Sequence, residues 1–484
     1  MNGGMDMYPN WILQRANLTP NRIGLTFEGK SWTFQEIKNE TLKRAGQLTA
    51  LKIEKGSRIA ILGENDHRLI FMMYGCMHLQ CEMVLLNRKL AKDELAYQIE
   101  DAEVMVVLVN DADASLLPND CNKILFSTVE RSEIEEVNVN KEWSLDETIS
   151  IMYTSGTTGF PKGVRQTVEN HQSSALASVL NIGLSEDDTW LCAVPLFHIS
   201  GFSILVRSLL YGNEVRLYRK FDHEQAVEDI ASGRVTYMSV VAVMLERILH
   251  GLEEKGLKAS SRFKLILAGG GPIPKDYLIR SQSCGLKVSQ TYGMTETSSQ
   301  TATLSNEDAL RKIGSSGKPL FFNQIKILDA KGPFEEGEIC IRGPHVTPGY
   351  VGRFKERSSR IDGWLHTGDI GYLDEEGYLY VVDRRSDLII SGGENIYPAE
   401  IENVLMSHPC VKEAGVCGMD DDTWGQVPIA FIVQKSEVSK EELLEYCQNK
   451  MAKYKVPKDV HFVEQLPRNA SNKLMRRNLK ELLK

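Results

Sequence analysis

No stretch of this chain approaches the ~20 consecutive apolar residues that a helix needs to cross a bilayer. The first residues, MNGGMDMYPNWILQRANLTP, lack a basic segment followed by an apolar one. Neither a membrane span nor a secretory leader is expected, and a cytoplasmic location is. The nine cysteines are scattered from Cys76 to Cys447 without a C-x-x-C pair, which argues against a disulfide framework or a zinc ribbon and for reduced thiols in packed surroundings. The ten histidines form no H-E-x-x-H, so a dedicated protein-bound metal is not expected; Mg²⁺ brought by a nucleotide stays open. Positive charge is not in surplus either: 56 basic against 65 acidic side chains give −9, which argues against a nucleic-acid or anionic-membrane surface as main partner. Recognition of phosphate must then be local. No internal repeat or low-complexity tract is present.

A chain of 484 residues exceeds what one core usually supports, so two or more domains are expected. Apolar runs alternate with helical patterns: RIAIL at 58–62, HRLIFMMYGCMHL, MVLL, KDELAYQIED and VMVVLV, then WLCAV, EVRLY, HEQAVEDI, VTYMSVV, VMLERILHGLEE, FKLILAGG and VSQTYG. That alternation predicts an α/β fold of mostly parallel sheets covered by helices. Between Asp111 and Glu147 the sequence reads as polar and irregular, with a solvated acidic run SEIEEVNVNKE. From about Gly314 short strands and turns predict a small β subdomain, with a polar turn at Asp374 to Gly377. Beyond Arg385 a separate α+β pattern begins. The predicted division is a large N-terminal domain, 1–384, and a small C-terminal domain, 385–484, with a hinge near Asp383 to Asp387.

The chemistry concentrates where strands stop, which is where open α/β sheets bind ligands. After TISIMY comes Thr154-Ser155-Gly156-Thr157-Thr158-Gly159-Phe160-Pro161-Lys162-Gly163. Gly156 and Gly159 free backbone N–H groups to approach phosphate, the hydroxyls add donors and Lys162 a point charge. The spacing is not a Walker loop, since Pro161 stands where its second glycine belongs. His198 in PLFHISG, with Ser200 beside it, either is a core histidine or contacts an acyl substrate. Arg207 lies in the apolar SILVRSLL; it reaches solvent, pairs with an internal acid or awaits an anionic substrate. Gly269, Gly270, Gly271 and Pro272 fail the dinucleotide pattern and form either a tight turn or a bed for a flat ring. In Gln290-Thr291-Tyr292-Gly293-Met294-Thr295-Glu296, Tyr292 suits a base, Thr295 a phosphate and Glu296 Mg²⁺. Asp369 in HTGD suits ribose hydroxyls. Arg384 suits ribose or a hinge salt bridge, and Lys473 in LPRNASNKL would by itself read as a solvent charge.

In this order, YTSGTTGFPKGV, PLFHISG, QTYGMTE, HTGD, DRRSDLIISGGENIYPAEIE and LPRNASNKL resemble the adenylate-forming superfamily of acyl-CoA synthetases, luciferases and peptide-synthetase adenylation domains. PLFHISG, LAGGGP, QTYGMTETSSQ and SGGENIYPAE resemble, more narrowly, the bacterial o-succinylbenzoate–CoA ligases of menaquinone synthesis. The resemblance implies a two-step reaction: ATP and a carboxylate form an acyl adenylate and pyrophosphate, then CoA displaces AMP. It implies that Thr154 to Lys162 hold phosphates, Tyr292 adenine, Thr295 the α-phosphate region and Glu296 the metal, that Asp369 and Arg384 bind ribose, and that Lys473 acts in the first step. It further implies a mobile C-terminal domain, with Gly392 and Gly393 letting the chain close over pantetheine. Ser386 and Asn472 depart from the usual hinge residue and the usual glycine before the lysine. Arg207 and Ser200 are expected to face the second carboxylate of o-succinylbenzoate. Partners are thus a small carboxylate, ATP and CoA, with homo-oligomerisation left open. An aryl or medium-chain acyl-CoA ligase, a carrier-protein adenylation module and a non-catalytic nucleotide-binding regulator are the alternatives.

Overall fold

The apolar runs become the central strands of two large sheets. The computed structural model describes residues 7–154, 160–270, 273, 275–383, 389–396, 398–467, 474 and 476–483. The first sheet runs in the order Gly349–Tyr350, Lys162–Thr167, Thr148–Thr154, Glu82–Leu85, Arg58–Leu62, Val106–Val109, Lys123–Leu125, and its last five strands are parallel. The second runs Lys318–Pro319, Ala302–Thr303, Val288–Tyr292, Leu265–Ala268, Tyr237–Val240, Thr189–Cys192, Glu214–Leu217, Ile23–Phe27, Lys30–Thr33, and is parallel from Val288–Tyr292 to Ile23–Phe27. Strands such as Val106–Val109 and Leu265–Ala268 are buried throughout, as parallel strands covered on both faces must be.

Helix His67–His78 shows why these sheets meet. Every residue from Leu69 to His78 is buried, so the helix is apolar all round and must lie inside the protein. Asp66 starts it by accepting from the Leu69 N–H at 2.7 Å, and Tyr74 reaches across to the Leu205 carbonyl at 3.2 Å. Leu205 belongs to helix Ile199–Tyr211, which is also mostly buried and ends at Gly212 in the left-handed conformation, φ 78°. Nearer the strand ends, the buried Asn65 side chain joins the two sheets. Its Nδ2 donates to the carbonyls of Val194 at 2.9 Å and Tyr218 at 3.3 Å, and its Oδ1 accepts from Leu196 N–H at 3.0 Å.

Strands Gln324–Ile327, Gly337–Arg342, Trp364–Leu373, Arg360–Ile361 and Leu379–Asp383 make the expected β subdomain. Its turn at Asp374 to Gly377 is held by Asp374 Oδ1, which accepts from the N–H groups of Glu376 and Tyr378, both at 2.9 Å. The C-terminal part has its own sheet, in the order Glu394–Ile396, Ile389–Ser391, Gly425–Gln434, Val411–Asp421, with Asp459–Phe462 alongside Gly425–Gln434. Helices Pro398–Met406 and Lys440–Lys450 cover it through Ile401, Leu405, Leu443 and Cys447. No helix among the described residues is long and apolar enough to cross a membrane. All nine cysteines are free, and seven are buried.

One region differs from the sequence reading. The stretch from Asp111 to Glu147 is not irregular: it holds a 3₁₀ turn Asp111–Leu116, a strand Lys123–Leu125, a helix Phe126–Arg131 and a strand Glu142–Ser144. Four of its apolar residues, Leu117, Phe126, Val129 and Trp143, are fully buried, too far apart to give a local period. Ahead of Arg58, strands Ile23–Phe27 and Lys30–Thr33 lead into helix Phe34–Ala50. The capping box of Thr33 and Glu36 marks that helix start and was legible as T-x-x-E.

Asn65→Ala would leave the buried backbone groups of Val194, Leu196 and Tyr218, beyond strands of the second sheet, without these partners. It is expected to destabilise the folded protein by about 2–3 kcal/mol in urea unfolding, without changing the far-ultraviolet circular dichroism of the native state.

Candidate active site

A cavity of about 550 Å³ opens at the carboxyl ends of strands from both sheets. Thr154, Lys162, His198, Ser200, Arg207, Gly269, Gly270, Thr291, Gly293, Thr295, Glu296, Asp369 and Gly393 all line it. Residues more than two hundred positions apart are thus brought together. Gln290, Tyr292 and Gly392 are not in the wall itself. Ser155, Gly156, Thr157, Thr158, Gly271, Pro272, Arg384, Ser386, Asn472 and Lys473 lie outside the described residues.

One half of the cavity gathers charge suited to a nucleotide. Lys162 begins the strand that pairs back on Thr154, and its buried ammonium lies 5.6 Å from the ring centres of Tyr350 and Phe354. Facing it, Glu296 stands in the 3₁₀ turn Thr295–Thr297. Burial raises the Glu296 carboxyl, with the charge of Asp369 acting the same way against Lys162 and a hydrogen bond from Tyr350. The loop after Tyr292 is tightly folded: a Cβ at Gly293 would overlap the Ser299 carbonyl, and Ser298 and Ser299 take φ values of 48° and 104°. Two adjacent non-glycine residues in the left-handed half of the map persist only where the surroundings hold them. Part of that hold is Gln166, whose Nε2 donates to the Thr295 carbonyl at 2.8 Å while its Oε1 accepts from Ser150 at 2.7 Å. His171 lies 2.8 Å from the same Ser150 hydroxyl, and burial pushes it down to about 3, so it is neutral at pH 7.

Tyr292 is buried behind the wall, among Ile339, Val346 and Leu365, and its hydroxyl donates to Asp369 Oδ2 at 2.7 Å. The Asp369 turn is also anchored by Glu338, which accepts from Gly368 N–H at 2.7 Å and lies 3.0 Å from His366 Nδ1. Glu338 had no sequence signal, because its partner Gly368 sits 30 residues on, in another strand.

Deeper in the cavity, Arg207 is 2% exposed. Its Nη2 donates to Gln300 Oε1 at 2.8 Å, its guanidinium lies 5.0 Å from the Trp190 ring centre, and its Nε has no hydrogen-bond partner. Burial lowers its pKa, opposed by contact with Tyr211 alone. Among the described residues it forms no ion pair with a carboxylate. Gln300 is itself fixed through Nε2 to Thr303 Oγ1 at 3.0 Å and Thr291 Oγ1 at 3.3 Å.

The cavity mouth is shared with the C-terminal part. Glu394 lies 3.5 Å from His198 Nε2 and 2.7 Å from Lys89 Nζ. Burial would raise its carboxyl, but His198 and Lys89 prevail and hold it down to about 2. Gly393, at φ 84°, comes so close to Val241 that a Cβ would sit 3.0 Å from its Cγ2. Gly392 takes φ 55° and its N–H donates to the Trp424 carbonyl at 2.8 Å. Both glycines are therefore dictated by backbone shape and close approach.

A carboxyl whose pKa is higher in the folded than in the unfolded chain binds more protons when folded, so its ionisation subtracts from stability. For Glu296 that loss sets in as pH rises from its ordinary 4.5 through the raised folded value, and is complete above it. Glu296→Gln removes the loss; it is expected to raise the melting temperature of the ligand-free protein at pH 7 and to change it less at pH 4, as read by scanning calorimetry.

The AMP-binding enzyme family matches residues 12–351, and the AMP-binding enzyme C-terminal domain matches residues 400–473. A 2-succinylbenzoate–CoA ligase from Geobacillus sp. (strain WCH70) is 48% identical over 481 residues, covering 98% of this chain and 97% of its own. Among solved structures, a double mutant of o-succinylbenzoate CoA synthetase from Bacillus subtilis, bound with its product analogue OSB-NCoA, matches at TM-score 0.93 and 45% identity over 98% of this chain and 99% of that one. The Bacillus subtilis enzyme in complex with ATP and magnesium ion matches at 0.76 and 44% identity over 98% and 100%. At this identity and coverage the chain belongs to the AMP-binding enzyme family and, within it, to the bacterial o-succinylbenzoate–CoA ligases.

Proposed function

We propose that the cavity carries both half-reactions of an ATP-dependent o-succinylbenzoate–CoA ligase of menaquinone biosynthesis, with residues 1–384 holding ATP and the acid and residues 385–484 moving between steps. In the first, one carboxylate of the acid attacks the α-phosphorus; a C–O–P linkage forms, the α–β bridge breaks and pyrophosphate leaves. Thr154 to Lys162 hold the phosphates, Thr295 lies at the α-phosphate, and Lys473 stabilises charge developing on its oxygens. The adenine lies along Gly269 to Pro272 and against Thr291 and Gly293, with Tyr292 supporting Asp369 from behind. Asp369 and Arg384 take the ribose hydroxyls.

Glu296 fits Mg²⁺ arriving with ATP. A single half-buried carboxylate facing the phosphate side suits an ion that keeps its waters and phosphate ligands, and the described residues contain no cluster of three metal-ligating side chains. When bound, Mg²⁺ supplies neutralising charge to the phosphates.

In the second half-reaction the CoA sulfur attacks the acyl carbon, a C–S bond forms, the C–O bond to phosphate breaks and AMP leaves. Gly392 and Gly393 border the route to that carbon, and His198 stands at its mouth with Glu394. The better fit to the relative bound with the CoA-product analogue, 0.93 against 0.76, supports reading the present arrangement as the one for this step.

The observation that carries the substrate reading is Arg207: a buried cation in the acyl pocket, hydrogen-bonded to a neutral amide and, among the described residues, without an acid of its own. We place the second carboxylate of o-succinylbenzoate there, with Ser200 beside it. Leaving that cation unpaired penalises benzoate and octanoate.

Pyrophosphate release and thioester formation are expected with o-succinylbenzoate and not with benzoate or octanoate. Arg207→Ala should lower the kcat/KM ratio of o-succinylbenzoate over benzoate by about 100-fold or more. An unchanged ratio would remove Arg207 from the substrate site. Lys473→Ala should abolish pyrophosphate release while leaving transfer from preformed acyl adenylate to CoA within about threefold.

A further inference from the structure

We propose that Lys455, clamped between Glu94 and Glu400, is the latch that fixes the C-terminal part in the arrangement for CoA, so that Glu94 is a positioning residue for thioester formation and not for adenylation. The proposal rests on the two-step reading above.

Lys455 ends the 3₁₀ turn Lys453–Lys455 that follows helix Lys440–Lys450. Its Nζ lies 2.8 Å from Glu94 Oε1 and 2.6 Å from Glu400 Oε1, and the three side chains are only 6, 12 and 11% exposed. The two acids belong to different bodies. Glu400 is in helix Pro398–Met406, on the same part as Lys455, whereas Glu94 is in helix Lys92–Asp101 of the nucleotide-binding part. When the C-terminal part moves, Lys455 keeps one carboxyl and loses the other.

Ala452 and Tyr454, flanking the latch, pack among Leu90 and Leu95, which excludes water from the contact. In such surroundings a charge pair is strong when complete and strongly unfavourable when one member is missing or reversed. Burial would lower the Lys455 ammonium, but Glu400, Tyr454 and Glu94 together hold it above its ordinary value. Glu94 is also preset: its Oε2 accepts from Ala91 N–H at 2.9 Å, closing the start of its helix, which leaves Oε1 aimed at the latch. The Lys450–Asp93 pair nearby spans 2.7 Å but is 42 and 58% exposed, so solvent screens it. Lys455 lines the same cavity as Gly393 and Glu394, and its seating brings those two residues to Val241 and His198.

The test separates the half-reactions. Glu94→Lys sets a like charge against Lys455. ATP–pyrophosphate exchange with o-succinylbenzoate should stay within about twofold of the parent, while single-turnover transfer from preformed acyl adenylate to CoA slows about tenfold or more. The charge swap Glu94→Lys with Lys455→Glu restores one cation and two carboxyls, and should recover at least about a third of the transfer rate. Asp93→Asn should change neither half-reaction by more than about twofold. Exchange and transfer falling by the same factor would overturn the latch, as would transfer unaffected by Glu94→Lys. So would a swap that recovers nothing in a protein that melts like the parent. Absence of exchange in the parent would instead strike the two-step reading, and the latch with it.

Discussion

The site depends on the strand ends of two separate sheets being held together. A buried side-chain amide does this more sharply than apolar packing can, because it demands particular partners at particular angles. Asn65 ties the end of Arg58–Leu62 to the loop after Thr189–Cys192, and Gln166 ties the strand behind the phosphate loop to Thr295. The first contact sets the floor beneath His198, and the second sets the height of Glu296 opposite Lys162. Apolar helices such as His67–His78 supply the attraction between layers, and the amides supply the register.

Upon that frame, charge is distributed unevenly. Lys162 stands against Glu296 and Asp369, and in the proposed function a polyphosphate with its metal meets that partly compensated charge. The acyl side holds one cation with a neutral partner. At the mouth, Glu394 and Lys455 make ion pairs whose partners come from both parts of the chain. In the proposed function each region therefore tests a different feature of its ligand or its state: phosphate charge, a second carboxylate, and the position of the C-terminal part.

The motifs were legible because each is contiguous and lies at a strand end. Strand-helix alternation fixed the character of both large sheets, and the α+β texture after Arg385 matches the sheet and helices found there. What sequence could not supply were partners distant along the chain. Gln300 looked like any polar loop residue until Arg207 stood beside it, and Glu338 like a surface acid until it held the Gly368 turn. Tyr292 was read as suited to a base, and the order of residues says nothing of which way an aromatic faces; in the fold it is buried with Ile339, Val346 and Leu365, and its hydroxyl donates to Asp369. The buried elements between Asp111 and Glu147 were missed for a related reason, since single apolar anchors carry no periodicity.

Arg207 has a consequence for how such a pocket can change over evolutionary time. A guanidinium at 2% exposure with an unsatisfied Nε detracts from folding stability whenever the pocket holds no acid. With Arg207 in its proposed role, an apolar replacement would relieve that burden and at the same time admit acids with a single carboxylate. Drift toward greater stability and drift toward broader substrate use therefore run in the same direction here, and only selection for the dicarboxylic acid opposes both.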